Sequence, residues 1–196
     1  RGRYMQEAEP VGEGAMAAVI GLEVATVYRA CAEAAEGEVV SPANLNAPGQ
    51  VTIAGSRAAV ARVGERLKAL GARRVIPLAV SAPFHCALMQ PAACRLEADL
   101  RKLIVSDPTV PVVANVDATL KRDASAAIEA LVSQVTAPVR WEEVVRRLLA
   151  SGARTFIEVG PGTVLSGLIK KIDRTVRVAS VEDPDGFLEV ERLVTA

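Results

Sequence analysis

Asn46-Ala47-Pro48-Gly49 stands between two short apolar runs, Val39–Ala43 and Val51–Ala54. Proline presets φ for one turn position and glycine supplies the positive φ that a following position needs, so the stretch predicts a β-hairpin. Amino-terminal to it, Val24–Ala35 carries Val24, Val27, Tyr28 and Cys31 at helical spacing, and Ala15–Leu22 is an apolar run fit for a buried strand. Carboxyl-terminal to it, Ser56 sits at an N-cap position before Val60, Val63, Leu67 and Leu70, and Gly71 ends that helix. Arg74–Val80 then reads as a further strand. Strand–helix–strand–strand–helix–strand is the split βαβ pattern, which predicts a ferredoxin-like small subdomain over residues 11–80.

Beyond Ser81 the rhythm lengthens. Ala87–Leu103 reads as a helix, Val110–Val116 as a strand, and Ala124–Val135 and Trp141–Ser151 as helices. Thr155–Val159 is a strand running into Gly160-Pro161-Gly162, followed by a helix with Val164, Leu165, Leu168, Ile169 and Ile172 on one face. A strand at Val176–Val181 closes the series. Helices alternating with apolar strands predict a parallel sheet covered on both faces for residues 81–196. Residues 1–10 read as the end of a helix stopped before Pro10.

Composition narrows the function. The 196 residues carry no net charge, with 23 basic and 23 acidic side chains, so there is no basic field to hold nucleic acid. No apolar run approaches the roughly 18 residues of a membrane span. Three cysteines without a CxxC and a single histidine predict neither a disulfide framework nor a metal site, and suit a reducing cytoplasm. Thirty-four alanines, and 18 arginines against 5 lysines, reflect compositional bias and carry no functional signal.

The chemistry-bearing candidates are few. His85, in Pro83-Phe84-His85-Cys86, is placed where a strand ends and a helix begins, the edge at which α/β sheets build their sites. Its ring titrates near neutrality and suits a general base, although a histidine at a helix start can equally serve only to bond the backbone. Cys86 points about 100° away from its neighbour on a helix and reads as a buried structural thiol. Gly160-Pro161-Gly162 fits a tight strand-to-helix turn better than a phosphate cradle. Asn44 and Asn46, at the hairpin, either satisfy their own backbone or present amides to a ligand. Lys170, Lys171, Arg174 and Arg177 form a small basic cluster, either a solvated helix end or a surface for an acidic partner.

Several fragments together resemble one family, the malonyl-CoA:acyl carrier protein transacylases of fatty-acid synthesis. They are Arg1-Gly2-Arg3-Tyr4-Met5-Gln6, Gly14–Leu22, Asn44-Leu45-Asn46-Ala47-Pro48-Gly49-Gln50 with the following Val51–Gly55, and Pro83-Phe84-His85-Cys86-Ala87-Leu88-Met89. Val132-Ser133-Gln134 ahead of Pro138-Val139-Arg140-Trp141, and Glu158-Val159-Gly160-Pro161-Gly162-Thr163-Val164-Leu165, complete the set. The resemblance implies an α/β fold in which an α/β-hydrolase-like larger subdomain, incomplete here, is interrupted by the ferredoxin-like one.

It also implies ping-pong acyl transfer, in which a serine takes malonyl from coenzyme A and passes it to the pantetheine thiol of acyl carrier protein. By that resemblance His85 is the base and Gln134 offers the backbone carbonyl that holds its ring. Arg1 pairs with the free carboxylate of malonate, which a planar guanidinium can bind bidentately. Phe84 disfavours branched acyl groups, and Asn44 and Asn46 touch the substrate arm. No resident cofactor is expected: malonyl-CoA is substrate and phosphopantetheine belongs to the partner, acyl carrier protein. A monomer is implied. The 196 residues contain no Gly-x-Ser-x-Gly turn. The chain is therefore expected to be the carboxyl-terminal two-thirds of such an enzyme, lacking its nucleophile, inactive alone, and left with unpaired strand edges and an exposed apolar sheet face. The alternatives are an acyltransferase domain of a polyketide or fatty-acid synthase, and a non-catalytic module that binds acyl carrier protein.

Overall fold

The computed structural model describes residues 1–195; Ala196, the last position of the expected 81–196 range, lies outside the described residues. A short helix α1 (Gly2–Glu7) leads into β1 (Gly14–Ile20), α2 (Val24–Ala34), β2 (Val40–Ala47), β3 (Gln50–Ser56), α3 (Arg57–Ala69) and β4 (Arg74–Pro77). The four strands form one sheet in the order β2-β3-β1-β4, with every neighbouring pair antiparallel. This is the split βαβ topology that the alternation of residues 15–79 predicts.

The two faces of this sheet have different tasks. Ala17, Val19, Val51 and Ile53 meet Val27, Ala30 and Cys31 of α2 and Val60, Val63 and Leu67 of α3 in the largest apolar cluster. Met16, Ala43 and Ala54 point the other way and pack on Cys86. The alternation of side chains along a strand thus gives one face to the helices and the other to the His85 segment. Consistent with cover on both sides, Val51–Gly55 is buried at every position.

Three expectations need correction in detail. The hairpin turn is Pro48-Gly49 alone, with Gly49 at φ +67°, and Asn44 and Asn46 lie inside β2 rather than in the loop. The strand runs on because its outer edge finds a partner: Val139 donates to the Ala43 carbonyl at 2.8 Å and Leu45 donates to the Val139 carbonyl at 2.8 Å. Second, β4 stops at Pro77 and residues 78–86 are irregular. A single 3₁₀ turn (Ala87–Met89) precedes α4 (Gln90–Leu100), which begins where Pro91 favours a first helical turn. Third, Val110–Val116 contributes only β5 (Val112–Val113), hairpinned to β6 (Leu120–Lys121) rather than set in a parallel sheet.

The remaining elements are α5 (Ala124–Ser133), α6 (Trp141–Ala150), β7 (Thr155–Val159), α7 (Val164–Ile172), β8 (Arg177–Val181) and α8 (Pro184–Thr195). Strands β7 and β8 are parallel, and among the described residues they pair only with each other. Ile157 and Val159 on β7 face solvent, as does Val164 at the start of α7. The parallel sheet covered on both faces that residues 81–196 predict is, among the described residues, this two-stranded pair with apolar side chains left exposed. No described helix is long and apolar enough to cross a membrane.

Candidate active site

His85 sits in the irregular stretch between β4 and the 3₁₀ turn, with φ at +63°. A side chain rarely adopts this left-handed backbone, and holding it there costs about 1–3 kcal/mol, so the flanks must impose it. They do. Pro83 is fully buried, Cys86 is fully buried, and the Cys86 thiol donates to the Pro83 carbonyl at 3.1 Å. One residue on each side of the histidine, Pro83 and Cys86, is therefore clamped, and its ring is aimed by them.

The ring's partner comes from α5. The last carbonyls of a helix have no intrahelical donor and carry the negative end of its dipole. Gln134 is the C-cap of α5, and its backbone oxygen lies 2.9 Å from His85 Nδ1. The Gln134 side chain is also near, its Nε2 being 3.4 Å from Nδ1. That Nε2 is committed elsewhere, donating to the Ala137 carbonyl at 2.8 Å and the Pro138 carbonyl at 3.2 Å. A carbonyl oxygen can only accept, so the proton between the ring and the Gln134 main chain belongs to the ring. Nδ1 donates and Nε2 keeps its lone pair, the tautomer a general base requires.

Burial pushes the His85 pKa below its ordinary value; the backbones of Gln134 and Ala137 oppose this and the nearby Arg1 charge adds to it. The ring is thus kept neutral and able to accept a proton. Arg1 reaches this place because α1 docks on α4: Met5 is buried against Met89, Ala92, Ala93 and Leu96, and Arg1 is the N-cap of α1. Burial lowers the Arg1 pKa as well. Arg1 and Gln134 share the wall of a pocket of about 300 Å³, together with Asn115, Lys121 and the apolar Val113 and Ala130. Sequence reasoning missed Asn115 and Lys121; Lys121 is tied to Asp117 at 2.6 Å.

Phe84 is half-buried between two apolar clusters, one from α1 and α4 and one from the small sheet. It wedges the larger part of the molecule against the smaller one. Asn44 and Asn46 share one face of β2, both half-buried. Neither amide bonds another described residue, so the reading in which they satisfy their own backbone does not hold. The backbone of Asn44 bridges Val139, only five residues past Gln134, which brings this strand to the base.

Other candidates resolve differently. Cys86 is sealed in, and burial pushes its thiol up to about 11, so it is no nucleophile. At the Gly160-Pro161-Gly162 turn the positive end of α7 is already occupied. The Glu158 carboxylate accepts from the Leu165 and Ser166 amides at 3.0 and 2.7 Å, and Glu182 accepts from Gly162 at 2.7 Å. A phosphate would have to displace both carboxylates. Of the basic cluster, Lys170 donates to the Val176 carbonyl at 2.5 Å and Lys171 to Gln50 Oε1 at 2.8 Å. No grouping of metal-ligating side chains occurs among the described residues.

The family described as the acyl transferase domain matches residues 1–184. The malonyl CoA-acyl carrier protein transacylase of Escherichia coli K12 is 52% identical over 187 residues, which is 95% of this chain and 60% of that protein. The Bacillus subtilis protein of the same name is 45% identical over 186 residues, 94% of this chain and 59% of its own length. Among solved structures, an acyl carrier protein S-malonyltransferase from Vibrio cholerae superposes with a TM-score of 0.94 at 48% identity, covering 97% of this chain and 62% of that one. A malonyl-transacylase in complex with a type II PKS acyl-carrier protein gives 0.95 at 47% identity, over 98% and 62% of the two chains. The chain thus spans about 60% of the length of the curated relatives it matches. With the match running through α1, the small sheet, the His85 segment and the β7–β8 unit alike, this chain belongs to the acyl transferase domain family.

Proposed function

We propose that this chain provides the base, the base-orienting carbonyl and the carboxylate-binding arginine of a malonyl-CoA:acyl carrier protein transacylase. The observation that carries the reading is the 2.9 Å contact between His85 Nδ1 and the Gln134 carbonyl. In a serine triad a carboxylate holds the ring in this way; here the unpaired carbonyl at a helix end replaces it.

The steps follow from that tautomer. His85 Nε2 takes the proton of a serine hydroxyl as its oxygen attacks the malonyl thioester carbonyl. The C–S bond breaks, and the coenzyme A sulfur leaves with the proton that Nε2 returns. In the second half His85 deprotonates the pantetheine thiol of acyl carrier protein, the thiol attacks the acyl ester, and the serine oxygen recovers its proton. Arg1 holds the free carboxylate through both halves. Phe84 restricts the space next to the base, and Asn44 and Asn46 offer unbonded amides to the amide-bearing pantetheine arm. We place the serine in the part of the relatives' length that this chain does not span. The three free cysteines, none of them paired, fit a reducing, cytoplasmic setting.

The test is transfer of labelled malonyl from malonyl-CoA to phosphopantetheinylated acyl carrier protein, using the chain completed with the portion of the Escherichia coli relative that it does not span. Transfer with saturating, ping-pong dependence on both substrates is expected. A hybrid that folds and acylates its serine from acetyl-CoA and malonyl-CoA equally well would contradict the malonyl reading.

A further inference from the structure

The segment Ala137-Pro138-Val139 is a strap between two parts of the molecule. At one end Val139 pairs with the edge of β2 through the Ala43 carbonyl and the Leu45 amide, both at 2.8 Å. At the other end the strap is held by a side chain, Gln134, whose Nε2 reaches the Ala137 and Pro138 carbonyls at 2.8 and 3.2 Å. Proline has no N–H, and a strap this short has no ladder of its own, so these two bonds are its anchor to α5. The same Gln134 presents its main-chain oxygen to His85. The residue is 8% exposed, and its Oε1 has no partner among the described residues. Leaving a buried amide oxygen unpaired is costly, and the cost is accepted here to turn both N–H groups toward the strap.

We infer that the Gln134 side chain is a positioning group: by donating its amide N–H groups to the strap it fixes β2 against α5 and holds its own main-chain carbonyl where it accepts from His85 Nδ1. The backbone carbonyl alone would orient the ring. Without the side-chain bonds, though, the carbonyl rides on a loose helix end and Nε2–H becomes an equally accessible tautomer. The Asn44–Asn46 face of β2 is then held at a fixed distance from the base by one residue.

The inference rests on the reading of His85 as base, but it is tested without an activity assay. His85 is the only histidine, so nitrogen-15 spectra of the ring report its tautomer unambiguously. Gln134→Met keeps the volume and removes the amide; Gln134→Asn keeps an amide too short to reach both carbonyls. In the unsubstituted chain the Nδ1–H form is expected. In both variants a mixture of tautomers is expected, with the Leu45 and Val139 amides exchanging with solvent roughly tenfold faster. Val135→Ala, which removes a neighbouring buried side chain, is expected to lower stability with the tautomer unchanged. If either Gln134 variant folds and keeps the parent tautomer and exchange rates, or if Val135→Ala shifts the tautomer equally, the positioning role is overturned. An Nε2–H ring in the unsubstituted chain would instead overturn the base itself.

Discussion

Gly14 lies directly under the ring of Pro83: a Cβ built on it would come within 2.3 Å of Pro83 Cδ and Cγ. The first residue of β1 is therefore the floor on which the His85 segment rests, and only a glycine leaves room for the proline that sets the turn. Gly14→Ala is expected to force the proline outward, costing about 1–3 kcal/mol as an overpacked site. Thermal unfolding measures the loss, and the His85 ring signal should move with it. An unchanged ring environment would mean that β1 does not position the histidine.

Arg1 makes a discriminating prediction. A guanidinium that binds the free carboxylate contributes to malonyl binding and nothing to acetyl. In the completed protein, Arg1→Ala is expected to cost malonyl transfer about 1.5–3 kcal/mol in kcat/KM, that is, tenfold or more, with acetyl transfer little changed. Equal losses for the two acyl groups would remove the carboxylate role.

Half-buried His85 links stability to pH. Its folded pKa lies below the ordinary 6.5, so the unfolded chain binds the extra proton first. This contribution is fully present above about pH 6.5 and is lost as pH falls through that value toward the lower folded one. Denaturant unfolding between about pH 8 and pH 5 should show the decline. His85→Gln should flatten it over that window; an identical slope in the variant would place the titration elsewhere.

Glu158 caps α7 from the strand before it. Glu158→Ala removes the acceptor for the Leu165 and Ser166 amides and is expected to cost about 1–2 kcal/mol. Glu158→Gln, which keeps an acceptor oxygen without the charge, should recover part of this. If added phosphate stabilised the alanine variant, the turn would have the latent anion site that the carboxylate now fills.

The parts of the fold that show in the sequence are those whose apolar spacing is local. Val60, Val63, Leu67 and Leu70 announce α3, and Thr155–Val159 announces β7, because burial on one side imprints a period. The extension of β2 through Asn44–Ala47 was not readable, since its cause is a backbone bridge to Val139 far along the chain. The run Val110–Val116 looks like a buried strand, yet Val110 and Val112 are exposed and only two residues pair. At the site, position alone left His85 divided between base and structural residue. Its contact with Gln134 spans 49 positions and no spacing rule reaches that far, so only resemblance connected them. The strap and the Gln134 side-chain bonds went unseen, because backbone carbonyls leave no mark on residue identity.

The most direct measurement is malonyl transfer to acyl carrier protein by the completed protein, with His85 intact and with His85→Ala. Loss of a positioned general base is expected to slow both half-reactions by about 10²–10⁴-fold, serine acylation included. A folded His85→Ala protein that transfers malonyl at the parent rate would contradict the assignment of His85 as the base and the chemistry built on it.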